Sequence, residues 1–296
     1  MAQKDFADLV KGKLVEEYLK EHSKDLLNGK WWGNNKTYPH ILQHYEDNFL
    51  DDDIPKDCNI KGNLFKGKYG KKKEIGYHKG ATSLNSSQIV CIVFFKKFFD
   101  TKHEEWQSVL LDALKAVDVP LADASIKNAV FEYVPDSKEN TNFDFYMELD
   151  DGSHVSMEIK YTEAAFGGIS KDKKVPQKYE RKWDKIYKEY VKKCPYLDSK
   201  KYTENEFYKN YQINRNISHA KEGDIVLFIT PRKNDYPGII NGREYIDTFK
   251  NTNHMIMNVY WEDLVEKLMK LIKNEPELLE YYTKFKKKYI DILKEI

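Results

Sequence analysis

Cysteine is scarce in this chain of 296 residues, which contains only Cys58, Cys91 and Cys194. An odd, widely spaced set excludes a disulfide framework and a Cys-x-x-Cys zinc site. Long apolar runs are also missing. The greasiest stretch, 89–95, is far too short to cross a bilayer. The opening MAQKDFADLV lacks an apolar signal core behind a basic stub, so a soluble, cytoplasmic protein with no membrane partner is expected. Neither charge sign dominates, with 49 Lys and Arg against 48 Asp and Glu. The total therefore gives no reason to expect a polyanionic partner. No internal repeat or low-complexity linker occurs. The Gly- and Lys-rich GKYGKKK at 67–73 lacks the spacing and the Ser/Thr of a phosphate loop. What the chain does have is 41% hydrophobic and 14% aromatic residues, enough for a sizeable core and too many for disorder.

The distribution of charge is more telling than its sum. Residues 61–73 hold six lysines and no acid; residues 171–201 hold twelve Lys and Arg against five Asp and Glu. Such stripes attract a polyanion even when the total is neutral. They make Lys71, Lys72, Lys73, Lys173 and Lys174 candidates for nucleic-acid contact, although a solvated lysine-rich face would look the same. Trp31, Trp32 and the tyrosines of the second stripe read as core residues.

Periodicity divides the rest. Phe6, Val10, Leu14 and Tyr18 share one helical face. A short helix is expected after Pro39 within an otherwise irregular 30–80. Residues 86–99 read as a buried helix and 103–118 as an amphipathic one. After Pro120 the period changes: 127–134, 142–149 and 154–161 have the character of strands. Thr203 and Glu206 form a capping box opening a helix to about 219. Residues 224–230 and 254–261 read as buried strands, and 262–294 as two helices separated near Pro276.

The stretch 142–161 carries the chemistry. Phe143, Phe145, Met147 and Leu149 form one row of the first strand; Asp144, Tyr146 and Glu148 form the other. In the second strand His154, Ser156, Glu158 and Lys160 oppose Val155, Met157, Ile159 and Tyr161. A two-residue turn would mismatch these faces. A three-residue loop, 150–152 with Gly152 left-handed, pairs 149 with 153 and so sets Asp144 opposite Glu158, about 5 Å apart at Cβ. Facing carboxylates repel unless a proton or cation lies between them. Mg²⁺, with Mn²⁺ as substitute, takes oxygen ligands, and the Ile159 carbonyl offers one more. Lys160 can then orient a water, which is the equipment for phosphodiester hydrolysis. Glu-x-Lys alone is uninformative in so charged a chain, and a solvent-facing hairpin row is the competing reading.

Asp144 followed by Glu158-x-Lys160 across a hairpin resembles the PD-(D/E)XK phosphodiesterase superfamily. The segments 83–88, 131–133, 158–163 and 211–216 resemble a bacterial branch of restriction endonucleases within it. The resemblance implies metal ligation by Asp144 and Glu158, water positioning by Lys160, a supporting acid at Glu132 and a hydrogen-bonding Gln212, with Gln88 near the same cleft. Phe143 stands where the superfamily's name expects proline. Gln212, Arg215, Asn216 and His219 share a helical face, which either contacts a phosphate or bonds within the fold; Arg215 is the candidate phosphate ligand.

The expected fold is α/β: a restriction-endonuclease-like core with a mixed central sheet flanked by helices, and an N-terminal helical part. The expected division is 1–80 for recognition or dimerisation, 81–261 for the nuclease core and 262–296 for C-terminal helices packed on it. The expected activity is that of a metal-dependent, type II-like endonuclease on double-stranded DNA, acting as a homodimer beside a cognate methyltransferase. A repair, recombination or phage-defence nuclease, and a non-catalytic binding protein on the same fold, remain open alternatives.

Overall fold

The computed structural model describes residues 5–64, 73–139, 141–169 and 182–296. Along the chain these form α1 (Phe6–Tyr18), β1 (Asn59–Lys61), α2 (Ser87–Lys96), α3 (Trp106–Lys115), β2 (Ile126–Tyr133), β3 (Phe143–Leu149) and β4 (His154–Ile159). There follow α4 (Lys188–Lys193), α5 (Glu204–Lys209), α6 (Tyr211–Ser218), β5 (Ile225–Thr230), α7 (Pro237–Asn253), β6 (Ile256–Tyr260), α8 (Trp261–Leu271) and α9 (Pro276–Tyr289). The strands make one mixed sheet in the order β1-β2-β3-β4-β5-β6. β1 to β4 pair antiparallel, and β5 and β6 add on parallel. This is the expected α/β architecture.

Helices cover both faces. On one, a cluster joins Val10 and Leu14 of α1, all of Ile89–Phe95 in α2, and α3, α8 and α9 to Phe145, Met147, Val155 and Met157 of the hairpin. A helix apolar all round must lie in the interior, and α2 does. Its C-terminal carbonyls have no partner within the helix. The Tyr281 and Tyr282 hydroxyls donate to Val93 O and Phe94 O, at 2.7 and 2.6 Å, which fixes α9 to the core. On the other face, Val226, Phe228 and Ile256 pack under Tyr187, Phe207, Ile213 and Ile246 of the later helices. β5 is buried on both sides, which explains its unbroken apolar run.

Several expectations change. Among the described residues no α-helix follows Pro39 directly, and the only helical turn between it and β1 is a 3-10 turn at Glu46–Asn48. Ile41 instead bridges to Ser83, and Leu42 N donates to Thr82 O at 2.8 Å, so the backbone groups a helix would use are already engaged. The irregular region also supplies β1, three residues too short to show a period. The helix opened by Thr203, whose Oγ1 accepts from Glu206 N at 3.3 Å, breaks at Asn210 into α5 and α6. Trp32 is 56% exposed rather than core. A helix does lie between the last two strands, and α7 tolerates its glycines because packing requires Gly242: a Cβ there would lie 2.2 Å from the Phe166 ring.

Candidate active site

The hairpin of β3 and β4 has the register its loop predicts. Leu149 N donates to Ser153 O at 2.9 Å, and Gly152 takes φ 87°. The pairs run from Glu148/His154 through Tyr146/Ser156 to Phe145/Met157. One further rung sets Asp144 opposite Glu158. In the alternation of an antiparallel ladder, the Ile159 N–H would go to the backbone across the strand. It goes instead to Asp144 Oδ2, at 2.7 Å. The aspartate thus sits where the two strands part, held by the backbone of its partner strand.

The row carrying Glu158 does not face water. Glu158 is 3% exposed and lies under α6. Its Oε1 accepts from Lys160 Nζ at 2.7 Å and Gln212 Nε2 at 2.6 Å; its Oε2 accepts from Asn216 Nδ2 at 2.8 Å. The Arg215 guanidinium is 3.8 Å from Oε2 and donates to Asn216 Oδ1. Burial alone would raise the Glu158 pKa. The charges of Lys160 and Arg215, with the Lys160 and Asn216 hydrogen bonds, hold it below the usual value. Asp144 goes the other way: burial and then the Glu158 charge push its carboxyl up. Burial would lower Lys160, but Glu158, Glu163 and Asp144 keep its ammonium protonated.

These two carboxylates suit a hard divalent cation by their chemistry. They are like charges side by side in a buried place, and one already favours its proton for want of a neutralising partner. Among the described residues no three His, Cys, Asp or Glu side chains form a metal-ligating group.

Other candidates are dispersed around this centre. Glu132, at φ 51°, occupies the position in β2 that the Phe131/Phe145 and Tyr133/Phe143 pairs set opposite Asp144. Non-glycine residues rarely take this conformation. Its carboxylate accepts from Gln88 Nε2 at 2.6 Å and Gly76 N at 3.0 Å, with His78 Nε2 3.7 Å away. Gln88 therefore belongs to the Glu132 side of the cleft. Glu163 accepts from Tyr161 N at 2.6 Å and reaches Lys160 and Asp144 through its charge. Of the shared face on α6, Gln212 and Asn216 bond to Glu158, and Arg215 is buried against them rather than presented to solvent. Lys73 is half-buried, its carbonyl accepting from Cys58 N. Lys71, Lys72, Lys173 and Lys174 lie outside the described residues.

Asn216 as a holder of Glu158 was visible only as a position four residues beyond Gln212, the spacing that stacks side chains on one helix face. Buried Glu139, which accepts from Tyr187 Oη at 2.6 Å, sits in the loop 134–139 and carries no sequence signal.

Comparison with curated proteins gave no match, and comparison with solved structures gave none either. A family model described as restriction endonuclease associating with ARP matches residues 13–290. That span takes in the whole sheet and the acidic rung, every helix from α2 to α9, and the C-terminal part of α1. The chain belongs to this restriction-endonuclease family.

Proposed function

We propose that this protein is a divalent-metal-dependent endonuclease that hydrolyses DNA phosphodiester bonds, acting as a type II-like restriction enzyme. One observation carries the reading: a rung of two carboxylates, half-buried Asp144 and buried Glu158, with the Lys160 ammonium held 2.7 Å from Glu158. The family supplies DNA as the substrate class. Asp144, Glu158 and the Ile159 carbonyl would hold Mg²⁺ or Mn²⁺, which when bound supplies Lewis-acid stabilisation of charge on the scissile phosphate.

The protein's own groups divide the remaining work. Lys160 stays protonated, so it acts as a donor that orients the attacking water and favours its hydroxide form; it does not remove the proton itself. Gln212 and Asn216 fix both oxygens of Glu158 so that the carboxylate does not rotate away. Glu132, gripped by Gln88, supports the cleft from the β2 side. The basic stripes 61–73 and 171–201 would hold the phosphate backbone, and a homodimer would supply two centres for a double-strand cut. Cytoplasmic location and a cognate methyltransferase accompany this restriction reading. Among the described residues no helix is long and apolar enough to cross a membrane.

The test incubates the purified protein with mixed plasmid and phage DNA in Mg²⁺, in Mn²⁺ and in EDTA, beside Lys160→Ala. Discrete metal-dependent fragments that disappear in the variant are expected. Smearing or nicking would move the reading to a repair or defence nuclease. A folded protein that cuts neither DNA nor RNA would overturn it in favour of a binding protein.

A further inference from the structure

The acidic rung is the first of three on the same sheet face. Next along the strands come Tyr146 opposite Ser156, then Glu148 opposite His154. These two rungs form the floor of a cavity of about 500 Å³ whose other wall is the end of α6 and α4, within the size range of small-ligand sites. Alternate residues on a strand are about 7 Å apart, so the cavity begins one such step from the acids. We infer that it receives an unstacked nucleobase of the substrate strand, from a nucleotide adjoining the scissile phosphate. This rests on the nuclease reading above.

The lining is aromatic on both sides and near-coplanar on the strand side. Tyr133, Tyr146 and His154 form a cross-strand ladder, with centroids 4.1 and 5.7 Å apart and planes within 25°. Facing it, Tyr190 and His219 lie 5.0 Å apart. Stacking surfaces of this kind accept any base. Fixed polar groups stand among the rings. His154 Nδ1 and Asp224 Oδ1 are 2.7 Å apart, and Asp224 Oδ2 accepts from Lys221 N at 2.8 Å, which sets the orientation of the imidazole. The Ser156 hydroxyl lies on the floor. His219 Nε2 is buried on the Glu139 side, 3.9 Å from Glu139 Oε2, so the imidazole is offered to the cavity by its ring and not by this atom. Lys193 and Lys221 stand exposed at the rim, placed to meet a phosphate while the base lies inside.

The whole protein in EDTA is titrated with the four 2′-deoxynucleoside 5′-monophosphates, with 2-deoxyribose 5-phosphate as the baseless probe, and followed by saturation-transfer NMR. Base protons should take up saturation, and the baseless probe should not. Ala220→Phe, which fills the cavity from the α6 side, should abolish the signal. It should also weaken binding of a mixed-sequence single-stranded oligonucleotide by about 5- to 150-fold, the range for losing one stacked base. If that variant fails to fold, Lys193→Ala with Lys221→Ala serves instead, and should weaken the mononucleotides without moving the far-ultraviolet spectrum. Equal binding of the baseless probe, no base signal, or a signal unmoved in the folded variants would overturn the proposal. So would mononucleotide binding that the oligonucleotide cannot displace, which marks a free-nucleotide site. Metal-dependent cleavage without a base signal defeats the pocket and leaves the nuclease reading standing. A base signal in a protein that cuts nothing defeats the nuclease reading instead.

Discussion

The two faces of the β3–β4 hairpin are made from alternate residues of the same strands, yet they do opposite work. One face presents Phe145, Met147, Val155 and Met157 to α2 and its neighbours, in a layer without charge on the strands. The other presents half-buried Asp144 and buried Tyr146, Ser156 and Glu158 to α6, and is full of polar atoms whose partners lie on a different element. The chemistry of what is covered separates the two faces more than the extent of the cover. The first face gains from water being removed. The second bears the cost of removing it, and keeps two carboxylates close enough that one rises in pKa while the other falls. Stability on one side holds a strained electrostatic arrangement on the other, as expected where function and folding compete.

The largest effects should separate the faces cleanly. Asp144→Asn keeps the size of the side chain and can still accept the Ile159 N–H, but loses its charge. Cleavage should fall by at least about 10³-fold, a barrier increase of about 4 kcal/mol. In EDTA near neutral pH its melting temperature should rise, because the cost of holding a carboxyl beside Glu158, which is met by taking up a proton, is gone. Phe94→Ala is the converse. Phe94 is fully buried, with Trp261, Tyr282 and Phe285 around its ring. Removing it should destabilise the fold by about 3–5 kcal/mol and leave cleavage per folded molecule unchanged. Denaturant titration and single-turnover assays on both variants decide this. A stability loss in Asp144→Asn would mean that the carboxylate supports the fold after all.

How much of this contrast could be read in the sequence follows from where its physics lies. The hairpin register was legible because Gly152 and two period-two strands are local, and a one-residue slip would turn every apolar side chain outward. Asp144, Glu158 and Lys160 followed from that register. What was not legible is the lid. Nothing in 142–161 says that the polar row is covered, because the cover is α6, more than fifty residues later in the chain. The same distance hid the use of Gln212 and Asn216, and it turned Arg215 from a candidate phosphate ligand on a helix face into a buried neighbour of Glu158. Glu139 carries no signal for a local reason: it sits in a loop without periodicity.

Glu139 offers a pH test on the polar face. Burial would raise its carboxyl from 4.5, but His219, Thr141 and Tyr187, followed by the Arg215 charge, bring it down to about 2. A folded pKa below the unfolded one stabilises above pH 4.5 and loses that contribution as the pH falls from there to about 2. Glu139→Gln should erase this limb of the stability–pH curve, a change on the order of 3 kcal/mol at neutral pH. Urea unfolding between pH 2 and 7 measures it. A wild-type curve flat across that interval would show that Glu139 is not held as the geometry implies.

Smaller again is Asn216→Ala. It frees Glu158 Oε2 from its 2.8 Å bond without touching the carboxylate itself. Residues that orient a ligating group change activity or metal affinity by about 10- to 100-fold. The loss should appear with Mg²⁺ and shrink as the metal concentration rises. A loss that metal cannot offset would mean that Asn216 acts on the substrate directly.

The smallest expected change bears on both faces at once. Gly152 has φ 87°, and a Cβ built there would meet nothing within 4 Å. Gly152→Ala therefore costs only the backbone strain of a left-handed alanine, about 1–2 kcal/mol. The midpoint of urea unfolding should fall with its slope unchanged, since the denatured chain exposes the same surface. Cleavage per folded molecule should stay as in the wild type. The comparison is sharp because this loop alone decides which residues share a face. If the alanine is absorbed as strain, both rows keep their places and only stability moves. If it is relieved by a slip in register, Asp144 and Glu158 leave their rung together with Phe145 and Met157, and activity must fall with stability in a single step.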